Sequence, residues 1–332
     1  MKMNDVQPEG MIRKQRSPQT DDHKFVPVPS AINTSEAICS HLYSSYLTGQ
    51  YADLIVRFQF KQTGHNFQSP VDGILYKLHK IIAIRSPFLA ALLMDHDASN
   101  NDGYQQITTL TISTSDANLT PAGLGVAFGH LYAPYYHHLL QGQPEESQAT
   151  FYSSVLGAST LLQLSDLCQI VTGYIKQSVS SDSIVQYALI FNDNLYQNSQ
   201  ELKDFMFTYL CNGIVTETTE KYGLLWDNEN GKAYQFLTNL FAELPFEWLK
   251  SIIESKHFLV PREVNRFTFA KHVVEIRTRQ NQQNNNFLTE ENVLFSFAGT
   301  NQQGVTLVRK TKLNKSMGLN NDTQRRVWKA SQ

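Results

Sequence analysis

Leu78-His79-Lys80-Ile81-Ile82-Ala83-Ile84-Arg85-Ser86-Pro87-Phe88-Leu89-Ala90-Ala91-Leu92-Leu93 is an apolar, helix-forming run that opens on a His-Lys pair. Earlier in the chain stands Ala52-Asp53-Leu54-Ile55-Val56-Arg57-Phe58. That piece reads as a strand, apolar and β-branched and opened by an acid. Tyr51–Phe60 and Gly73–Leu78 are expected to pair as a hairpin, and the helix is expected to begin at His79. The connection Lys61–Asp72 is long for a hairpin and reads as a surface insertion.

Outward from this core the pattern continues. Ile38, Leu42, Tyr46 and Leu47 share a helical face, and Gly49 ends that helix. A polar loop is expected at Asp95–Gln105, then a third strand at Leu110-Thr111-Ile112. Leu124, Phe128, Leu131 and Tyr132 form an i, i+4, i+7, i+8 stripe on a helix that stops at Ala133-Pro134. Val155, Leu156, Ala158, Leu161 and Leu162 make another helix. Ser165 reads as the N-cap of the next, on which Leu167, Val171, Tyr174 and Ile175 share a face.

Beyond Val179 the pattern is helical. Ile184, Tyr187, Ala188 and Phe191 recur at helical spacing, as do Leu202, Phe205, Met206, Tyr209 and Leu210. Pro245 and Pro261 stand where a first helical turn tolerates proline, ahead of Phe246–Ile253 and Arg262–Arg277. Gln280–Asn286 is a run of amides that reads as a linker. After it, Val293, Phe295 and Phe297 alternate, as do Val305 and Leu307. Two strands alone rarely form a stable unit, so they either join the preceding domain or open a further element.

With 41% apolar and 17% charged residues over 332 positions, the chain is globular and long enough for two domains. Residues 1–29 are the exception, polar and without periodicity, and read as a disordered arm. Net charge is −2, too small for general nucleic-acid binding. The basic residues gather past Asn301, where Arg309, Lys310, Lys312, Lys315, Arg325, Arg326 and Lys329 face Asp322 alone. Cys39, Cys168 and Cys211 are odd in number, far apart, and without a Cys-x-x-Cys step, which fits a reducing compartment. The N-terminus has no apolar signal core and no apolar run reaches about 18 residues, so a cytoplasmic or nuclear location is expected.

Asp53 with its strand, Leu78-His79-Lys80, Arg85-Ser86-Pro87-Phe88, Leu131-Tyr132, and Leu156-Gly157-Ala158 leading to Leu164–Leu167 occur in an order that resembles the BTB/POZ family. That family opens on an Asp-led strand, adds a second strand, and enters a helix through apolar-x-His-Lys/Arg. The resemblance covers Ser30 to Thr278. Asp116–Thr120 and Leu244–Leu249 are similar to segments of fungal BTB proteins of the germ cell-less type. The implied fold class is α+β: a BTB/POZ fold at 30–178, with a small sheet and a helical cluster, then an all-α BACK-like domain at 179–279. Residues 280–332 are left as linker and basic tail.

The resemblance implies an assembly module. A helix before the Asp-led strand is what dimerising members carry, so Ile38 and Leu42 are expected at a homodimer interface. It also implies that Asp53 and Lys80 meet in a charged pocket at the dimer groove, with His79 beside them. A charge-assisted pair there serves a partner or simply supports the fold. Cullin-binding members place an apolar residue, any residue, then Glu on the helix around Leu124. Lining up Leu131-Tyr132 puts Leu124 at the apolar site and Val126 at the Glu site. The anchor is kept and the acid is lost, worth about 1.5–3 kcal/mol for a charged hydrogen bond.

Nothing in the chain argues for catalysis. Cys168 has apolar neighbours, which make a thiol inert. Gly-x-Ser-x-Gly, Gly-x-Gly-x-x-Gly and Gly-x-x-x-x-Gly-Lys are all absent. His79 reads as a packed histidine at the helix start. No second ligand stands at metal spacing from it, and His130, His137 and His138 are likewise weak candidates, His137-His138 following Pro134 in an expected loop. No enzyme activity, cofactor, metal, small-molecule substrate or membrane contact is expected. The expected function is a protein–protein scaffold dimerising through its BTB domain, or a substrate adaptor of a cullin–RING ubiquitin ligase, with the protein partner unidentified. The alternative is a transcription-associated BTB protein that binds a corepressor or chromatin factor.

Overall fold

A computed structural model describes residues 34–60, 73–99, 107–134, 140–141, 144–193, 196–283, 289–296 and 304–311. The arm at 1–29, the insertion at 61–72 and the residues His137, His138 and Phe297 lie outside the described residues. The fold is mixed α+β and mostly helical, with two small sheets.

The first unit begins with α1 (Thr34–Thr48), which ends at Gly49, whose φ of +60° suits glycine. Next come β1 (Leu54–Phe60) and β2 (Ile74–Leu78), antiparallel, with Leu54 opposite Leu78 and Phe58 opposite Ile74. β3 (Thr108–Thr114) joins the other edge of β1 in parallel, so the order is β2-β1-β3. Leu54, Val56 and Phe58 alternate inward on the central strand and are fully buried, as a one-sided sheet requires.

The decisive run of sequence is not one helix but two, α2 (Lys80–Ala83) and α3 (Pro87–Ser99). Ser86 causes the break. Its buried hydroxyl donates to the Leu162 carbonyl at 2.6 Å and accepts the Leu89 N–H at 3.2 Å. That is an N-cap, and Pro87 fills the first helical position, where its missing N–H costs nothing. Arg85 reaches across to the Leu131 carbonyl near the end of the next helix. The expected loop at Asp95–Gln105 is shorter on its N-terminal side, because α3 runs to Ser99.

Helix α4 (Pro121–Tyr132) is capped by Thr120, whose hydroxyl accepts the Gly123 N–H at 3.1 Å. Helices α5 (Glu145–Leu161) and α6 (Ser165–Ser178) follow. Ser165 is the first residue of α6, not its cap; Leu164 holds that position.

The second unit holds α7 (Ile184–Asp193), α8 (Ser199–Thr208), a π-helical turn at Tyr209–Gly213, α9 (Ile214–Tyr222), α10 (Lys232–Glu243), α11 (Phe246–Glu254) and α12 (Glu263–Gln283). The two units share one apolar core. Polar contacts join them as well. Tyr196 donates to Asp116 at 2.9 Å, and the Gln197 N–H donates to Thr160 at 3.0 Å.

The expected linker and tail need correction. Helix α12 runs through the first amides to Gln283, and β4 (Thr289–Ser296) and β5 (Gly304–Thr311) form an antiparallel hairpin. It packs on α11 and α12 with Leu307 fully buried and Val305 nearly so. The hairpin therefore joins the preceding helical unit, which is not all-α.

Candidate functional site

The residues singled out in the sequence meet where α1, β1, α2 and α4 converge. Asp53 is fixed first by its backbone. Its N–H donates to the Leu78 carbonyl at 3.2 Å, and its carbonyl accepts the Thr108 N–H at 2.9 Å. Three strand ends thus set its position. Its carboxylate then accepts the backbone N–H of Lys80 at 2.7 Å. A charged acceptor on a free amide of a helix's first turn is a strong hydrogen bond. No ion pair joins Asp53 to the Lys80 ammonium among the described residues, which corrects the expected charged pair. The proximity stands, but the contact is to the backbone.

His79 does not cap α2 with its ring. Its Nε2 lies 2.8 Å from the Gln50 carbonyl, and its Nδ1 lies 2.9 Å from the Tyr132 hydroxyl. A carbonyl only accepts, so Nε2 carries a proton toward Gln50. The Tyr132 hydroxyl bonds Nδ1 and also accepts the His79 backbone N–H at 2.8 Å. Burial pushes the Tyr132 hydroxyl up to about 12, so it stays a donor at neutral pH. Tyr46 stacks on Tyr132 with ring centroids 5.2 Å apart and donates to the Gly125 carbonyl at 3.1 Å. The His79 ring, the Tyr46 and Tyr132 hydroxyls and one Asp53 carboxylate oxygen are thus held by contacts within the fold.

The apolar side chains around the joint face outward. Ile38 and Leu47 on α1 are exposed, and Ile81 on α2 is 76% exposed, with Ile84 beside it. Tyr51, at the turn between α1 and β1, is 86% exposed on a backbone with φ +62°. Leu42 instead lies half-buried against the core. Of the two expected interface residues on α1, Ile38 is free and Leu42 is mostly spent on packing. Gln50, Tyr46 and Tyr132 were not anticipated as partners of this site. Tyr46 shares the face of Leu42, and that spacing was the available signal.

Leu124 is fully buried, at 0% exposure, among the core residues. It cannot serve as a surface anchor, which corrects its assignment as a cullin contact. Val126 is half-buried, packed against the same core. Leu124 belongs to the first unit's interior, and Val126 lies at its edge.

Among the described residues, no group of three or more His, Cys, Asp or Glu side chains is arranged to hold a metal ion. No helix among them is long and apolar enough to cross a membrane. Cys168 and Cys211 are buried, and burial pushes both thiols up. No protein-family model matches the chain, and no curated protein matches it at a significant level.

Proposed function

We propose that this chain is a BTB/POZ-type protein–protein interaction module with a BACK-like helical region, working as a dimeric scaffold. The supporting observation is the apolar surface at α1 and α2. Ile38, Leu47, Tyr51, Ile81 and Ile84 are exposed on α1, on α2 and on the residues that adjoin them, while His79, Tyr132 and one Asp53 oxygen bond within the fold. Isolated exposed apolar residues are ordinary, but several on α1 and α2, two elements that both pack on α4, suit a partner surface. The hairpin that feeds α2 through Leu78-His79-Lys80 also follows the order the resemblance implies.

A second copy is the proposed occupant, because an interface built on α1 and α2 meets itself across a two-fold axis. A stable dimer of this kind buries more than about 1,000 Å² in total. The adaptor form of the reading loses its anchor at Leu124, so the scaffold form is the better supported.

Light scattering of the intact chain at micromolar concentration tests this directly, with twice the chain mass expected. Ile38→Glu combined with Ile81→Glu should give a monomer with unchanged circular dichroism. A monomeric intact chain would overturn the proposal.

A further inference from the structure

The second unit carries an open groove of about 590 Å³ between the α7–α8 corner and α11. Phe207 on α8 and Trp248 on α11, both half-buried, bring aromatic surface to it. The Trp248 indole N–H makes no hydrogen bond among the described residues. Asp204 and Glu247 line the groove against a single cation, Lys203. Asp204 accepts the Gln200 amide at 2.9 Å through one oxygen, and Glu247 forms no ion pair among the described residues. Aromatic surface beside excess negative charge suits a segment that joins an aromatic or aliphatic side chain to guanidinium or ammonium groups.

Strand β5 delivers such a segment. The Leu307 N–H donates to Glu254, the last residue of α11, at 3.2 Å. The Arg309 guanidinium lies 4.2 Å from the ring centroid of Phe246, the first residue of α11. So β5 runs antiparallel to α11 and heads for the helical turn that carries Glu247 and Trp248. The described residues stop at Thr311, and the sequence beyond contains Arg325-Arg326-Val327-Trp328-Lys329. The chain from Thr311 to Trp328 spans up to about 55 Å at about 3.3 Å per residue. Passing around a helix of about 10–12 Å diameter needs only about 16–19 Å.

We infer that the groove is the docking site of the chain's own Arg325–Lys329 segment. Trp328 packs against Phe207 and Trp248, and Arg325 and Arg326 face Asp204 and Glu247.

Limited trypsin digestion of the full chain, followed by intact mass, reads this out at Arg325, Arg326 and Lys329. Asp204→Asn with Glu247→Gln adds no cleavage site and changes only exposed charge. Trp248→Ala removes the aromatic wall. Both variants should lose the segment severalfold faster than the wild type, with melting temperatures taken to exclude general unfolding. The wild-type rate should not depend on protein concentration. Equal rates in all three proteins would overturn the inference. So would protection that grows with concentration, which would place a second copy's segment in the groove.

Discussion

Asp53 and Lys80 are joined through the carboxylate of one and the backbone N–H of the other, 2.7 Å apart. The acid at the mouth of the sheet therefore fixes where α2 begins, while the Lys80 ammonium makes no ion pair among the described residues. The two readings of this pair separate by mutation. Asp53→Ala should cost about 1.5–3 kcal/mol, the value of a hydrogen bond to a charged group. Lys80→Met should cost no more than about 0.5 kcal/mol, because it keeps the half-buried stem and removes an ammonium with no ion pair among the described residues. Urea denaturation of both variants measures this. Equal losses would restore the side-chain ion pair.

Two glycines on α4 make opposite predictions. A Cβ added at Gly123 would lie 2.2 Å from the Ser154 hydroxyl oxygen and 2.7 Å from its carbonyl carbon. Backbone cannot yield cheaply, so Gly123→Ala should force α4 and α5 apart and cost about 1–3 kcal/mol. At Gly125 the nearest atom is the Tyr46 hydroxyl at 3.8 Å, an ordinary contact. Gly125→Ala should therefore gain up to about 1 kcal/mol from helix propensity. Thermal melts of the two variants should move in opposite directions. A shared loss would mean α1 sits closer to α4 than described.

Much of the first unit was legible because its signals are local. Leu54, Val56 and Phe58 alternate, and the structure buries all three. The split at Ser86 was also written in the sequence, as a cap residue followed by proline, but the surrounding apolar run hid it. Leu124 shows a different failure. The stripe Leu124-Phe128-Leu131 that marks the helix also marks its core face, and an alignment to a surface motif overrode that geometry. The hairpin's two strands were legible as alternating residues, but which of two placements they take was not. Its lock joins Arg277, Glu291 and Arg309, residues far apart in the sequence, and only the folded chain brings them together.

The three cysteines should react in a fixed order. Cys168 is fully buried, its Sγ donating to the Ser159 hydroxyl at 3.2 Å, and burial pushes its thiol up. Cys211 is buried as well, and its thiol is also pushed up by burial. Cys39 on α1 is only half-buried. A thiol reagent at neutral pH should modify Cys39 alone in the folded protein, with the other two appearing only in denaturant. If α1 forms the dimer interface, Cys39 labelling should also slow as protein concentration rises. Rapid modification of Cys168 in buffer would contradict the described packing.

Glu291 governs the last prediction, the acid stability of the hairpin. Its side chain is 2% exposed and lies 2.7 Å from both Arg277 and Arg309. Arg277 also donates to the Ala242 and Leu244 carbonyls at 2.8 and 2.7 Å, which ties β4 to the end of α10. Burial alone would raise the carboxyl pKa, but hydrogen bonds from the two guanidiniums, reinforced by their charge, outweigh it and hold the group below its ordinary value. The folded state thus binds this proton less readily than the unfolded chain. Its contribution is complete above the unfolded carboxyl pKa of about 4.3 and is lost as pH falls through the lower, folded value. Hydrogen exchange at β5 amides should therefore be unchanged from pH 7 to 5 after correction for intrinsic rates, and protection should collapse in stronger acid. Glu291→Gln should remove that acid step and cost about 3 kcal/mol at neutral pH, because it leaves the largely buried Arg277 without its counter-ion. A variant that keeps wild-type stability at pH 7 would show that Leu307 and Val305 hold the hairpin without the ion pair.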